Sequence, residues 1–572
     1  MQDKKISVAE YIADSIAKLG VDTVPFVQGG AIMKVIDAVG QHPKLRYVAC
    51  NHEQAVAMFV DGYARIKGFG VGLATSGPGG TNLMTGIACA YYDSVPCLFI
   101  TGQVGMFHVK GDRRVRQRGF QETDMVSVMK PITKYAVMLE RGADARRVFE
   151  EAVWHAKDGR PGPVLIDIPF NVQRELVSPS ELSPFVPPKQ ERSVAPVDAV
   201  EGIFSELTKA KRPILLLGGG VRLSRQTETA RALARALQIP VVATWGAADV
   251  MPHREPLYLG SPGRYGNVSA NEISLRSDLI LALGSRFTTK MVYNDKIFAK
   301  DTRVIAVDID QGELEDGLLK HAQTIVADLS VFIPALLARA KRARKAADGR
   351  AEWLSLARSL KRSYHAINVP PPTSRGARVN PHSFVNALSE LIGDEDVVVS
   401  DCGLNLVWGV QGYQSKGGNQ RFISAWGNSP MGYSFPASVG AHYARPKSRT
   451  VCLIGDGGMQ MNIQEMQTVF LYKVPVKIFV LNNYCYGMMM LNKNDFAGRT
   501  FGNEPKTGYA AADFVKIAKA YGIKSFSLKD DKQVRANLRK ILSIKGPALI
   551  NVNLHPDQTV LDVVVTPPKV II

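Results

Sequence analysis

Two short stretches carry residue types suited to holding a metal ion and a diphosphate. Gly455-Asp456-Gly457-Gly458 follows the apolar run 450–454, and Asn482-Asn483 follows the apolar run 476–481. Each run is short enough for a buried strand, and residues 463–472 between them have helical spacing. The pattern predicts a βαβ unit with Asp456 and Asn483 at the carboxyl ends of two parallel strands, one helical crossover apart. Ligands bind an open parallel sheet at that edge. A carboxylate, a side-chain amide and free backbone carbonyls are hard oxygen ligands. They suit Mg²⁺, which keeps part of its coordination shell for phosphate oxygens. Either dipeptide alone reads as a turn former; the two together in this frame point to a metal-diphosphate site.

A second chemical group lies far upstream. Residues 45–50 read as a strand that delivers Asn51-His52-Glu53-Gln54 to the start of a small-residue helix. A lone glutamate there would be explained by the helix macrodipole. Its neighbours in order say more: Gly62-Tyr63-Ala64-Arg65, Thr75-Ser76-Gly77-Pro78-Gly79-Gly80-Thr81-Asn82, Asp93-Ser94-Val95-Pro96 and Thr101-Gly102-Gln103-Val104. This series, together with the Gly-Asp-Gly…Asn-Asn stretch, resembles the acetohydroxyacid synthase (acetolactate synthase) branch of thiamine diphosphate enzymes.

That resemblance covers nearly the whole chain and implies a set of roles. Asp456, Asn483 and the backbone carbonyl of Cys485 would hold Mg²⁺ against the cofactor's diphosphate. Gly29, Asn405, Ser429, Gly457, Gly458, Gly487 and Met488 would line the cofactor. Met431 would be the apolar wedge that bends it. Glu53 would hydrogen-bond a ring nitrogen of the aminopyrimidine and so help remove the thiazolium proton. A carboxyl group in an apolar cleft is the right chemistry for that shuttle. Phe120 and Gln121, within Phe120-Gln121-Glu122, would face the reacting centre. In the middle of the chain, Arg160, Gly219, Gly220, Arg286, Asp308 and Asp328 match the pattern that binds a non-redox FAD.

The resemblance implies that the elements positioning these groups form an α/β protein of three Rossmann-like doubly wound domains: 1–175 for the pyrimidine, 195–340 central and FAD-binding-like, and 380–560 for the diphosphate and Mg²⁺. A chain of 572 residues is too long for one core. In the first domain Ser7 is an N-cap, with Val8, Tyr11, Ile12, Ile16 and Leu19 on one helical face. The Pro- and Ser-rich residues 175–195 read as a linker, and 340–380 as a connector that is basic and then Pro-rich. Gly218-Gly219-Gly220 is not GxGxxG, so the central domain carries no redox dinucleotide fingerprint. An empty structural domain is the competing account, since fold alone does not fix a ligand.

The chain departs from the synthase pattern at identifiable places. Phe170 stands after Pro169 where Lys is usual. Leu404-Asn405 replace Gln-His. Lys290 replaces an arginine, and Thr288-Thr289 replace two aspartates. Asn492 replaces a Trp associated with 2-ketobutyrate as acceptor, which leaves a roomier and wetter pocket. The segment 561–568 resembles the family's closing segment. The loop with Arg113, Arg114, Arg116 and Arg118 is basic enough to meet an anionic acceptor.

These features predict decarboxylation of a 2-oxo acid, pyruvate foremost, and transfer of the two-carbon unit to a second carbonyl. Two alternatives stand beside it. One is a flavin-containing carboligase acting on a nucleotide-linked ketosugar. The other is a non-catalytic cofactor-binding paralogue or scaffold, against which intact Glu53, Asp456 and Asn483 speak. In the family the two cofactor-binding domains meet across subunits, which implies a homodimer or homotetramer. The net charge of +18 is spread along the chain; its densest run, 339–345, lacks interleaved aromatics. A positive field for anionic ligands and simple solubility explain it better than nucleic acid. No signal-peptide core or membrane-length apolar run is present, and the six cysteines have no CxxC or disulfide-like spacing, so a cytoplasmic protein without membrane contact is expected.

Overall fold

The computed structural model describes residues 5–189, 197–292, 299, 301–319, 321–343, 349–364, 378–491, 498–556 and 560. Three parallel sheets, each flanked by helices, give three Rossmann-like α/β domains. The first sheet contains β2 (Thr23–Phe26), β3 (Arg46–Ala49), β4 (Gly70–Ala74), β5 (Cys97–Gln103), β6 (Tyr135–Met138) and β7 (Pro163–Pro169). Its order is β3-β2-β4-β5-β7-β6. A small antiparallel pair, β1 (Ile6–Ser7) with β8 (Leu176–Val177), ties the domain's ends together. The central sheet runs β10-β9-β11-β12-β13, from β9 (Pro213–Leu217), β10 (Val241–Ala243), β11 (Leu279–Leu283), β12 (Arg303–Asp308) and β13 (Gln323–Val326). The third has β14 (Val397–Ser400), β15 (Arg421–Ile423), β16 (Thr450–Gly455), β17 (Lys477–Asn482), β18 (Lys524–Leu528) and β19 (Ala548–Asn553), in the order β15-β14-β16-β17-β19-β18. The first and third sheets therefore share one strand order.

Burial explains the strand composition. Strands covered on both faces need apolar side chains on both, and β5, β7, β9, β11 and β14 are buried along their whole length. The first helix, Val8–Lys18, starts at a full capping box: the Ser7 hydroxyl accepts the Glu10 N–H while Glu10 accepts the Ser7 N–H. The connector reading needs one correction. Ala351–Ser363 is a helix whose Trp353, Ala357 and Leu360 are buried on the central sheet, with Leu354 buried as well. Its basic outer face obscured the apolar one.

The first and third domains share a core through two helices, Glu53–Lys67 and Ser434–Ala444. They cross at glycines. A Cβ on Gly62 would lie 2.1 Å from the Ala437 carbonyl oxygen, and one on Gly440 would lie 2.0 Å from that of Phe59. Only glycine lets the two backbones approach so closely.

Candidate active site

The strands β16 and β17 pair in parallel, with Gly455 opposite Leu481. Asp456 and Asn483 thus emerge side by side at the carboxyl edge. Both are buried, as is Cys485. The Asn483 amide has one end 3.2 Å from Asp456 Oδ1 and 2.9 Å from the Cys485 carbonyl oxygen. With nitrogen at that end, the amide donates to both. With oxygen there, three oxygens converge and a cation is what reconciles them. Among the described residues, Asp456 Oδ2 and the hydroxyl of Tyr509 are buried and near each other, and neither has a hydrogen bond of ordinary geometry. Burial pushes the Asp456 carboxyl up to about 6, against the opposing pull of Tyr509 and backbone amides. This donor set fits a hard divalent ion. Tyr484, between the two ligand candidates, is held at a φ of 61°, a strain of the kind stored at functional sites.

Glycines make the room around this edge. A Cβ on Gly458 would meet Asp401 Oδ2 at 2.0 Å, on Gly457 the Tyr486 ring at 2.3 Å, and on Gly487 Leu404 Cδ1 at 2.4 Å. Asn405 donates to the Asp401 and Leu453 carbonyls, and its own Oδ1 is buried without a partner among the described residues. Met488 is half-buried against the third-domain core. Ser429 is exposed at a φ of 49°, and Met431 is half-buried just beyond it.

The first-domain group forms its own cluster. Glu53 opens its helix behind His52, whose side chain accepts the Gln54 N–H. Glu53 is 8 % exposed, and its carboxylate accepts from Asn82 Nδ2 at 2.9 Å. A Cβ on Gly29 would lie 2.3 Å from Thr75, one on Gly79 3.4 Å from Glu53 Oε1, and one on Gly77 2.5 Å from the Gln121 carbonyl. The turn 75–79 therefore separates Glu53 from Gln121. Gln121 has a φ of 62°, and Phe120 is 86 % exposed. Glu122 staples the basic loop by accepting the backbone N–H groups of Lys110, Arg118 and Gly119. Among the described residues, no hydrogen bond or ion pair joins Glu53, Phe120 or Gln121 to Asp456, Asn483 or Met431 of the same chain. Asn492 and 561–568 lie outside the described residues, as do parts of the connector.

The central-domain residues are dispersed in role. Arg160 is bound to Asp310 at 2.9 Å, to Glu313 at 2.6 Å and to Ser94 at 2.8 Å. Asp328 caps the helix Leu329–Arg342. Asp308 accepts the Asp310 N–H. The Gly220 N–H goes to the Gly284 carbonyl, and that of Gly218 to Leu283. Gly219, whose nearest neighbour to an added Cβ is 3.9 Å away, and the half-buried Arg286 are left facing the edge. Arg286 Nη2 would lie 3.2 Å from a Cβ on Gly427. Lys290, Thr288 and Thr289 are exposed.

Sequence reasoning gave no role to Asn82, which holds Glu53, or to Tyr509, which faces Asp456. Asn82 stood inside a quoted motif; Tyr509 had no local signal.

Comparison with protein-family models matches this architecture from end to end. Residues 6–128 match the N-terminal TPP binding domain of thiamine pyrophosphate enzymes, 200–336 their central domain, and 401–552 their C-terminal TPP binding domain. The chain is thus built as a three-domain thiamine diphosphate enzyme. Among its relatives is the acetolactate synthase large subunit of Lactococcus lactis subsp. lactis (strain IL1403), 32 % identical over 569 residues, 98 % of this chain and 95 % of the relative. The acetolactate synthase isozyme 1 large subunit of Escherichia coli (strain K12) is 32 % identical over 98 % of this chain and 96 % of its own length. Acetolactate synthase 1, chloroplastic, of Zea mays is 32 % identical over 97 % and 86 %. The chain belongs to the acetohydroxyacid synthase (acetolactate synthase) family, and its chemistry is thiamine diphosphate-dependent decarboxylation and carboligation. Among the described residues no helix is long and apolar enough to cross a membrane.

Proposed function

We propose that the chain decarboxylates pyruvate and joins the two-carbon unit to a second carbonyl, as an acetolactate synthase-like carboligase. The carrying observation is the meeting of Asp456 Oδ1, the Asn483 amide and the Cys485 carbonyl beside Asp456 Oδ2, which has no hydrogen bond of ordinary geometry among the described residues. Those atoms would hold Mg²⁺, with Gly457, Gly458, Asn405, Ser429, Gly487, Met488 and Gly29 around the cofactor. Bound there, thiamine diphosphate supplies the nucleophilic carbon and the electron sink. Glu53, fixed by Asn82, holds and returns a proton at its carboxylate. Phe120 and Gln121 flank the reacting carbon, and Met431 sets the bend. The exposure of Phe120, and the lack among the described residues of any hydrogen bond or ion pair between Glu53 and Asp456 of one chain, support a homodimer or homotetramer, each site completed by a second copy. Domain limits of 1–175, 195–340 and 380–560, a cytoplasmic location and an absence of nucleic-acid partners belong to the same reading.

For FAD in the central domain the support is the family resemblance with Gly219 and Arg286. The other four residues assigned to it have protein partners, so no step is given to the flavin. Flavin absorbance in the isolated protein, or uptake of added FAD, tests that part.

A second reading is favoured by a cavity of about 380 Å³ whose lining includes Gln103, His108, Arg118, Phe120 and Phe170. The Arg174 guanidinium stacks 4.1 Å over the Phe170 ring. Aromatic and cationic walls suit a larger anionic acceptor, such as a nucleotide-linked ketosugar. One assay separates the two. With thiamine diphosphate, Mg²⁺, FAD and pyruvate, fast CO₂ release with acetolactate supports the first reading. Slow release, accelerated by a nucleotide-ketosugar without acetolactate, supports the second. No CO₂ under either condition rejects pyruvate as donor.

A further inference from the structure

We infer that Asp61, Arg65 and Asp93 of the first domain are positioning residues for the loop 425–433 of the third domain in the same chain, and through it for Met431. The inference rests on the cofactor reading above. The three side chains are 0 %, 8 % and 4 % exposed. Arg65 bridges them: Nε donates to Asp61 Oδ1 at 2.6 Å and Nη2 to Asp93 Oδ2 at 2.7 Å. Two carboxylates and one guanidinium out of water are costly, and a well-packed apolar trio would stabilise a domain contact as well. What an apolar trio lacks is acceptors, and both carboxylates use theirs on the loop.

Asp93 holds one shoulder. Its Oδ2 accepts the Trp426 N–H at 2.7 Å and its Oδ1 the Gly427 N–H at 2.8 Å. Asp61 holds the other by accepting from the Tyr433 hydroxyl. From beneath, Asp401 of the third domain accepts the N–H groups of Gly432 and Tyr433 at 2.9 and 3.0 Å. The Asn428 amide reaches back to the Thr85 carbonyl at 3.3 Å. Between these anchors stand Ser429, in the left-handed region, Pro430 and Met431. A non-glycine residue keeps such a backbone only where its surroundings over-determine it, and here the first domain supplies four of these six hydrogen bonds. One helix thus serves twice: its first residue is Glu53, and its third and fourth turns brace the loop beside the Asp456 edge.

The test uses Tyr433→Phe, which removes one hydroxyl, and Asp93→Asn, each assayed as the full-length protein loaded with thiamine diphosphate and Mg²⁺. Misplacing a bound reactant by about 1 Å costs up to about a hundredfold in rate. The expected result is a fall in kcat of roughly tenfold to a hundredfold with KM for pyruvate changed by less than about threefold. The near-ultraviolet circular dichroism of the bound cofactor, which reports how its two rings are oriented, should change in both variants and in Met431→Ala. Wild-type kcat and dichroism in both loaded variants would overturn the inference, even if their melting temperatures fell. So would a rate loss that only tracks lost cofactor. A wild-type protein that takes up no thiamine diphosphate would overturn the cofactor reading and this inference together.

Discussion

The carboxyl edges of the third and central sheets have the same architecture and opposite chemistry. At the third-domain edge, polar atoms are left over: among the described residues, Asp456 Oδ2, Asn405 Oδ1 and the Tyr509 hydroxyl are buried without a hydrogen bond of ordinary geometry. At the central edge, most of the polar groups are consumed by the protein itself, Arg286 excepted. Gly218 and Gly220 donate across to β11 and the residue after it, Asp328 caps a helix, and Arg160 is locked to Asp310 and Glu313. Burial works to raise the Asp310 carboxyl, and Arg160 with nearby backbone amides holds it below its ordinary value. Leaving buried polar groups unpaired is costly. A sheet edge that accepts the cost is one prepared for a ligand, whereas fold alone prepares nothing.

The sharpest attack on this contrast is Asp456→Ala. Loss of a direct ligand should weaken Mg²⁺-dependent thiamine diphosphate binding by more than the roughly 10–100-fold of an outer partner. The same change should leave the melting temperature of the cofactor-free protein unchanged or raised, because an unpaired buried oxygen is removed. Cofactor binding that ignores Mg²⁺ would break the comparison. Next is Glu53→Gln, which keeps an oxygen for Asn82 and loses the exchangeable proton. Turnover should fall by about 10²–10⁴-fold with thiamine diphosphate still bound, as judged by steady-state kinetics beside a binding titration. Near-normal turnover would remove Glu53 from the mechanism.

The central edge predicts the reverse pattern. An added Cβ at Gly218 would lie 1.9 Å from the Gly284 carbonyl oxygen. Gly218→Ala should destabilise the fold by about 1–3 kcal/mol or more in urea unfolding, with thiamine diphosphate affinity untouched. The last effect is a pH dependence at the far end of β17. Lys477 is 2 % exposed, and its ammonium donates to the Pro475 and Gly546 carbonyls. Burial lowers it from 10.5 to about 8. Between those values the unfolded chain binds more protons than the folded one, so stability rises with pH there. Relative to Lys477→Met, the wild type should gain stability from pH 8 toward 10.5; a flat difference would reject it.

How much was legible depended on range. Asp456 and Asn483 announced themselves because each ends an apolar run, and the Ser7 cap because it stands just before an apolar helical face; that Glu10 completes its box emerged only in the structure. The family resemblance carried Glu53, Phe120 and Gln121. What escaped was non-local or too short to have a period: the two-residue strands β1 and β8, the Asn82–Glu53 bond, and the hold of Asp93 on Trp426 from 333 positions away. The helix 351–363 escaped because charge on one face masked four buried residues on the other. The central-domain assignments matched a pattern without any view of their partners. Arg160 and Asp308 illustrate how a residue can fit a motif and still be occupied.

The glycine crossing of the helices Glu53–Lys67 and Ser434–Ala444 has a consequence for traffic. Backbone meets backbone there, with the Gly62–Ala437 and Gly440–Phe59 approaches leaving no side chain to bend or slide. Parting the first and third domains of a chain at this seam would have to undo both close backbone approaches. Passage of small molecules is then expected at the arginine-rich strip 113–118, which is exposed and is held to Glu122 through the Arg118 N–H and the Gln117 side chain.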